Sequence, residues 1–360
     1  MKALHVIESL GRGGAEQLLV TLLPELARQG CGAEVAMLRG SVDLVPELEA
    51  RGIKVTQLPG GHKWNLWRNA RAIARLADQA GADVIHAHLY FPAVSVALMR
   101  LLRLHRARTV VSFHNLAYAG ANRAGLALWA KKRLARSLYP RGFDLMLGVS
   151  SAVARHYEGA LGLKQVQVLH NPMPEDVRPR PAPPDRPVPL LVVPGRLVSE
   201  KGHSTLIQAL TCMKMSVQTV FAGGGPLQAS LQDAAPNIRI TGPLMHGEML
   251  DEIAVADLVV IPSHHEGFGL TALEAMALGR SVLATDAGGL PEVLGDAGYL
   301  VPREDPNALA DAIKLLLNDP DLRSQLAEAG KHRATELFST GAIAAQLLSY
   351  YHGKSEKRGT

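Results

Sequence analysis

Asp257-Leu258-Val259-Val260-Ile261-Pro262-Ser263, then Glu266-Gly267-Phe268-Gly269-Leu270-Thr271-Ala272-Leu273-Glu274-Ala275-Met276-Ala277-Leu278-Gly279, is the stretch on which the reading of this chain turns. The first run is apolar throughout, as a strand buried on both faces should be. The second run reads as a helix with a glycine stop. Between them lies a glycine-containing loop that exposes backbone N–H groups at a positive helix end, where anions settle. Two carboxylates, Glu266 and Glu274, bracket that junction. Acids beside an anion site make sense for a ligand carrying both phosphates and hydroxyls. The N–H groups then meet phosphate, and the carboxylates accept from sugar O–H groups.

The same alternation extends in both directions. Upstream and downstream lie strand-like runs at Leu190–Val193, Thr219–Ala222, Ile238–Thr241, Ser281–Thr285 and Tyr299–Val301, followed by helices from Asn307 to about Tyr351. The first half repeats the pattern: strands at Leu4–Ser9, Ala33–Leu38, Lys54–Leu58, Val84–His88, Thr109–Phe113 and Leu145–Val149, with helices such as Gly14–Gln29, Leu66–Ala80 and Ala93–Leu104. Such alternation predicts an α/β protein of two parallel, doubly wound Rossmann-like sheets. Ligands of those sheets bind at the carboxyl ends of strands. The proline-dense segment 173–189 forbids helix and central strand, so it reads as a linker. Residues 1–172 form the first domain and 190–339 the second. The tail Lys354–Thr360 is polar and expected to fray.

Composition narrows the classes of function. At 360 residues the chain is too long for one ordinary core. Aromatic residues make up only 4%, which argues against a nucleic-acid reader built on base stacking. Two cysteines, Cys31 and Cys212, make neither a disulfide framework nor a metal cluster, so a reducing compartment is expected. The first residues read as a strand, so no secretory leader is expected, and no apolar run reaches the roughly 18 residues of a membrane span. Both features point to the cytoplasm. Charge is uneven: residues 1–180 carry 24 Lys+Arg against 13 Asp+Glu, and residues 181–360 carry 14 against 20. A basic half suggests that one half faces something anionic.

Gly195-Arg196-Leu197-Val198-Ser199-Glu200-Lys201-Gly202 follows the first strand of the second domain. Arg196 and Lys201 there can neutralise a diphosphate, each contact being worth roughly 1.5–3 kcal/mol. Gly11-Arg12-Gly13-Gly14-Ala15-Glu16 occupies the equivalent place in the first domain. Gln17 spoils the dinucleotide fingerprint, but Gly13 and Gly14 still permit close approach at a helix start. Ala222-Gly223-Gly224-Gly225-Pro226 reads as a tight turn at the same kind of edge. His114 ends a first-domain strand and is expected to project into an interdomain cleft as a substrate contact or proton carrier. His86 and His88 share a strand face; without a third ligand at a sensible spacing they read as structural or acceptor-site residues, and no metal is expected. Asp319-Pro320-Asp321 matches an Asp-x-Asp metal motif literally but reads as a helix-ending turn. The stretch 120–139, with Arg123, Lys131, Lys132, Arg133 and Arg136 among Leu126, Trp129, Ala130, Leu134 and Leu138, reads either as a basic amphipathic helix for an anionic membrane surface or as an ordinary helix on its own core.

Taken together, Gly13-Gly14-Ala15-Glu16, Gly195-Arg196…Glu200-Lys201-Gly202, Glu266-Gly267-Phe268-Gly269…Glu274 and Ala287-Gly288-Gly289-Leu290-Pro291-Glu292 resemble the retaining GT-B glycosyltransferases of family 4, over nearly the whole chain. The resemblance implies two Rossmann-like domains facing across a cleft, with the last helix, about 340–353, returning to the first domain. It implies a nucleotide-sugar donor, a UDP-sugar in preference to a GDP-sugar, held mainly by the second domain. Arg196 and Lys201 would hold the diphosphate, Glu274 the ribose and Glu266 the sugar hydroxyls. Backbone N–H groups around Gly267, Phe268, Gly269 and Leu270 would meet sugar or phosphate, Gly13 and Gly14 would wall the diphosphate, and Gly242, Leu244 and Met245 would line the base. His114 would lie near the reacting sugar, beside a glycan or lipid-linked acceptor of cell-envelope synthesis.

The resemblance also implies retention of configuration without a metal. Catalysis would rest on stabilising the leaving diphosphate and an oxocarbenium-like sugar. Attack would come from the same face, with a leaving phosphate oxygen helping to take the acceptor proton. The prolines of His170-Asn171-Pro172-Met173-Pro174 stand where many relatives carry a glycine turn, which stiffens the hinge. Two other functions fit the same residues: a nucleotide-sugar epimerase, and a non-catalytic nucleotide-sugar-binding subunit.

Overall fold

The structure, a computed structural model, describes every residue except 60–61, 119–124, 175–176, 184–185, 214 and 354–360. The first residues of the 120–139 stretch, including Arg123, parts of the linker and the tail therefore lie outside the described residues. The chain divides into two compact units. One is Met1–Pro172 with the segment from Thr340; the other is Met173–Ser339.

In the first unit the order is β1 (Lys2–Ile7), α1 (Gly14–Arg28), β2 (Gly32–Met37), α2 (Val45–Ala50), β3 (Lys54–Gln57), α3 (Leu66–Ala80) and β4 (Val84–His88). It continues with α4 (Tyr90–Leu101), β5 (Arg108–Phe113), α5 (Leu126–Gly142), β6 (Leu145–Gly148), α6 (Ser151–Leu161) and β7 (Gln167–Val168). The second unit runs β8 (Leu190–Pro194), α7 (His203–Cys212), β9 (Gln218–Ala222), α8 (Gln228–Ala234), β10 (Arg239–Ile240), α9 (His246–Ala254) and β11 (Leu258–Ile261). Then come α10 (Leu270–Ala277), β12 (Val282–Thr285), α11 (Leu290–Leu294), β13 (Tyr299–Val301), α12 (Pro306–Asn318) and α13 (Pro320–Leu337), before α14 (Thr340–Tyr351) closes the chain in the first unit.

Both sheets are parallel, ordered β3-β2-β1-β4-β5-β6-β7 and β10-β9-β8-β11-β12-β13. Each winds outward from its first strand in both directions, so strand order reverses between β1 and β4 and between β8 and β11. A crevice opens at such a reversal, and ligands of open α/β sheets bind there. The loops after β8 and β11 are those carrying Arg196–Lys201 and Glu266–Gly269.

β4, β8, β11 and β12 are buried at every position, as two-faced parallel strands must be. Helix α14 joins the first core through Ile343, Leu347, Tyr350 and Tyr351. Burying an Ile or Leu of this kind stabilises by roughly 1.5–3 kcal/mol. Asp319 caps α13, accepting from the Leu322 N–H at 2.8 Å. That is the turn role read for Asp319-Pro320-Asp321. No helix among the described residues is long and apolar enough to cross a membrane.

Candidate functional site

Glycines bring the loops at the carboxyl edge of the second sheet into backbone contact. A Cβ on Gly202 would overlap the Pro262 carbonyl, one on Gly223 the Gly195 carbonyl, and one on Gly288 the Glu266 carbonyl. All three have positive φ, at +67°, +146° and +57°, which side chains rarely adopt. The Gly223-Gly224-Gly225 segment is thus more than a tight turn: it nests against Gly195, Leu197 and Pro243. The Glu200 carbonyl accepts from the His264 N–H at 2.8 Å, tying the loop after β8 to the loop after β11.

That tie sets the principal contact of the site. Lys201 Nζ lies 2.5 Å from Glu266 Oε2, with the two side chains only 23% and 15% exposed. The sequence reading left Lys201 as a free cation for phosphate. In the structure its charge is already matched by Glu266, because the Glu200–His264 bond draws the loops together. Arg196 is exposed, and its side chain has no hydrogen-bond or ion-pair partner among the described residues. The division of labour shifts accordingly: Arg196 is the unengaged cation, and Lys201–Glu266 is a preformed pair between them.

Glu274 is buried in α10, and its Oε1 lies 3.8 Å from His246 Nδ1 at the start of α9. Sequence reasoning missed His246, which has no periodicity or motif to mark it. Phe268 turns its ring inward, 3% exposed and edge-on to Phe338, so the backbone is what Gly267–Leu270 offers. Gly269 takes φ +109° as it opens α10. Gly242 is buried with φ +77°, Leu244 is half-buried and the Met245 side chain is exposed. The Met245 N–H is engaged by Glu248 Oε2 at 2.7 Å. His203, also unforeseen, is buried with neither ring nitrogen partnered among the described residues, and burial pushes its pKa down to about 4.

In the first unit, Gly13 caps α1 and Gly14 begins it. Burial raises the Glu16 carboxyl above its ordinary range. His114 directly follows β5 and lines a cavity of about 260 Å³ shared with Tyr90, Phe91, Asn115, Tyr118 and Lys131. Leu89, at φ 68° and ψ 175°, occupies backbone space that is otherwise glycine's, at the rim of the same cavity.

The pairing of His86 and His88 gains a member that the spacing hid. Strand β1 sets His5 opposite His86 in the register, and the nitrogen donors of His5, His86 and His88 lie within 4.8 Å of one another. Sequence reasoning saw no third imidazole, since His5 lies 81 positions before His86. The cluster is hydrogen-bonded throughout: His5 Nδ1 to His88 Nε2 at 3.0 Å, His88 Nδ1 to His114 Nε2 at 3.1 Å, and His86 Nδ1 to Tyr351 Oη at 2.7 Å.

Helix α5 does not present the apolar face that its sequence suggests for a core. Leu126, Trp129 and Leu134 are exposed, at 86%, 60% and 38%, while Ala135 and Tyr139 face inward.

Residues 12–177 match the family described as Glycosyltransferase Family 4, and residues 175–333 the family described as Glycosyl transferases group 1. The chain is 28% identical to the D-inositol 3-phosphate glycosyltransferase of Xylanimonas cellulosilytica, over 96% of this chain and 93% of that protein. It is 28% identical to the GDP-mannose-dependent alpha-(1-6)-phosphatidylinositol monomannoside mannosyltransferase of Mycobacterium tuberculosis, over 81% and 89%. The crystal structure of the Anabaena protein HepE in complex with UDP matches with a TM-score of 0.82 at 21% identity, covering 98% of this chain and all of that one. The architecture is that of a GT-B glycosyltransferase. Within that class, the chain belongs to the family 4 glycosyltransferases.

Proposed function

We propose that this enzyme is a retaining, metal-independent hexosyltransferase that moves a sugar from a UDP-sugar to a glycan or lipid-linked acceptor of the cell envelope. The observation that carries the reading is the Lys201–Glu266 pair joining the loops after β8 and β11, with exposed Arg196 in the first of these loops and buried Glu274 in the helix α10 that follows the second. A diphosphate there meets Arg196 first and then the outer face of Lys201, whose ammonium has three donors. Glu266 keeps a second oxygen for a sugar hydroxyl, and Glu274 accepts from the ribose. The amides of Gly267–Leu270 add fixed dipoles at the helix end, and preorganised dipoles of this kind stabilise charge developing on a leaving group. Glu266 is engaged by Lys201, which favours hydroxyl binding over a nucleophilic role, and hence same-face attack. His114 is assigned to the substrate on the first unit.

The uridine base is favoured by likeness to the UDP-bound HepE fold, and the mannosyltransferase relative keeps a GDP-sugar as the alternative. Thermal shift with UDP-, GDP-, ADP- and dTDP-sugars tests the donor. A ligand at 100 times its Kd stabilises by about 2.7 kcal/mol, and Glu274→Gln should abolish that gain. Stabilisation that survives in the Glu274→Gln variant refutes the site.

We also propose a peripheral location on the cytoplasmic membrane face. All three tryptophans of the chain, Trp64, Trp67 and Trp129, are 46–60% exposed. Arg71 stacks on Trp67 and Arg133 on Trp129. Exposed indoles among cations suit an anionic interface. Cosedimentation with anionic vesicles should fall with added salt and with Trp64→Ala/Trp129→Ala; binding insensitive to both refutes this placement.

A further inference from the structure

We propose that Tyr351 of the C-terminal helix, acting through a buried chain of imidazoles, fixes which nitrogen of His114, a residue lining the first-unit cavity, carries the proton and so leaves its Nδ1 a bare acceptor.

The chain of contacts is continuous. From the cavity inward it runs His114 Nε2 to His88 Nδ1 at 3.1 Å, His88 Nε2 to His5 Nδ1 at 3.0 Å, and His5 Nε2 to Tyr351 Oη at 3.4 Å. It goes on from Tyr351 Oη to His86 Nδ1 at 2.7 Å and from His86 Nε2 to Ser112 Oγ at 2.8 Å. His5, His86 and His88 are at most 1% exposed. Burial holds all four imidazoles neutral near pH 7, with His5 pushed down to about 3 and His114 to about 4.

A neutral imidazole has one N–H and one lone pair. In an unbroken chain of such rings each hydrogen bond dictates the next, and only two arrangements satisfy every link while also giving the Tyr351 hydroxyl proton an acceptor. In the first, Tyr351 donates to His86 Nδ1, His86 Nε2–H donates to Ser112, and Tyr351 accepts from His5 Nε2–H. His5 Nδ1 then accepts from His88 Nε2–H, His88 Nδ1 accepts from His114 Nε2–H, and His114 Nδ1 is left as a lone pair. In the second, every proton is reversed and His114 Nδ1 becomes a donor.

The distances select the first. A tyrosine hydroxyl donates at short range, as in the 2.7 Å contact to His86, while the 3.4 Å contact to His5 suits a weak N–H donor. His114 Nδ1 points the same way. It is shielded and has no partner among the described residues, and an unmet lone pair is better tolerated than an unmet N–H. Tyr351 never touches His114 in this scheme; it is a positioning residue, supplied from the far end of the chain.

The test is imidazole 15N NMR on protein labelled at histidine, with the His114 signals assigned by their loss in His114→Gln. The wild type should show His114 as the Nε2–H tautomer. In Tyr351→Phe the ring and its packing remain, but His5 Nε2–H loses its acceptor. Either direction of the chain then leaves one N–H unmet, at His5 Nε2 or at His114 Nδ1, so the preference is lost and His114 should change from the Nε2–H tautomer to a mixture of both. Ser112→Ala is the second variant, because it strands the His86 Nε2–H and should drive the same change. A wild-type Nδ1–H tautomer, or a His114 unaltered in both variants while backbone spectra show intact folds, overturns the proposal.

A kinetic consequence rests on the glycosyltransferase reading: Tyr351→Phe should lower kcat with donor KM unchanged. The NMR outcome needs no turnover, so failure of that reading would leave it standing and separately measurable.

Discussion

Replacing Lys201 and Glu266 singly and together separates two roles that the structure superimposes. Lys201→Met leaves the Glu266 carboxylate, 15% exposed, without its partner. Breaking a fully buried pair costs about 3–5 kcal/mol and an exposed one about 0.2–1, so this intermediate case should cost roughly 1–3 kcal/mol in folding stability. The binding consequence is distinct. If Lys201 also holds the diphosphate, losing one charge-assisted contact of roughly 1.5–3 kcal/mol weakens UDP about 10- to 150-fold. That loss should persist in the Glu266→Gln background, where no pair remains to break. Glu266→Gln alone should leave UDP binding equal or tighter, since Lys201 is released, while a UDP-sugar loses affinity. Titration calorimetry with UDP and a UDP-sugar on all four proteins reads every term. If the double variant binds UDP as tightly as Glu266→Gln, Lys201 serves only Glu266 and the diphosphate role is refuted.

Gly288→Ala combines a left-handed φ with an overlap on the Glu266 carbonyl, so it should destabilise by at least about 2 kcal/mol and weaken UDP-sugar; Gly247→Ala, with nothing within 4 Å, should do neither. An unchanged melting temperature for Gly288→Ala would contradict the loop packing. His203 should make stability depend on pH. Its folded pKa, about 4, lies below the ordinary 6.5, so the unfolded chain binds the proton first. Its contribution is whole above pH 6.5 and is lost as pH falls toward 4, up to about 3 kcal/mol. Urea midpoints for His203→Leu should therefore fall less over that window than those of the wild type, and parallel curves would refute the assignment.

What the sequence made legible was whatever is local. Leu258–Ile261 and Tyr299–Val301 announce themselves as apolar runs between turn residues, and the structure has strands at those residues. The helix expected over Ala93–Leu104 runs instead over Tyr90–Leu101, starting ahead of Pro92, since proline is tolerated in the first turn of a helix. Its end is set by Arg103 at φ 54°, for which an arginine gives no signal. β7 is two residues at a sheet edge, too short to show a period. The site divides the same way. Glycine loops and charged motifs were visible, whereas the pairing of Lys201 with Glu266, of Glu274 with His246, and of His5 with His86 depends on loop contacts and strand register between residues far apart in sequence.

The proposed reaction moves a sugar with retention from a nucleotide held at the second sheet. Proton NMR of the reaction of the purified protein with an α-linked UDP-hexose, alongside the Arg196→Ala and Glu274→Gln variants, tests that claim most directly. The wild type should give an α-linked product, and each variant should lose at least 10-fold in rate. A β-linked product, or variants that turn over like the wild type, would contradict the proposal.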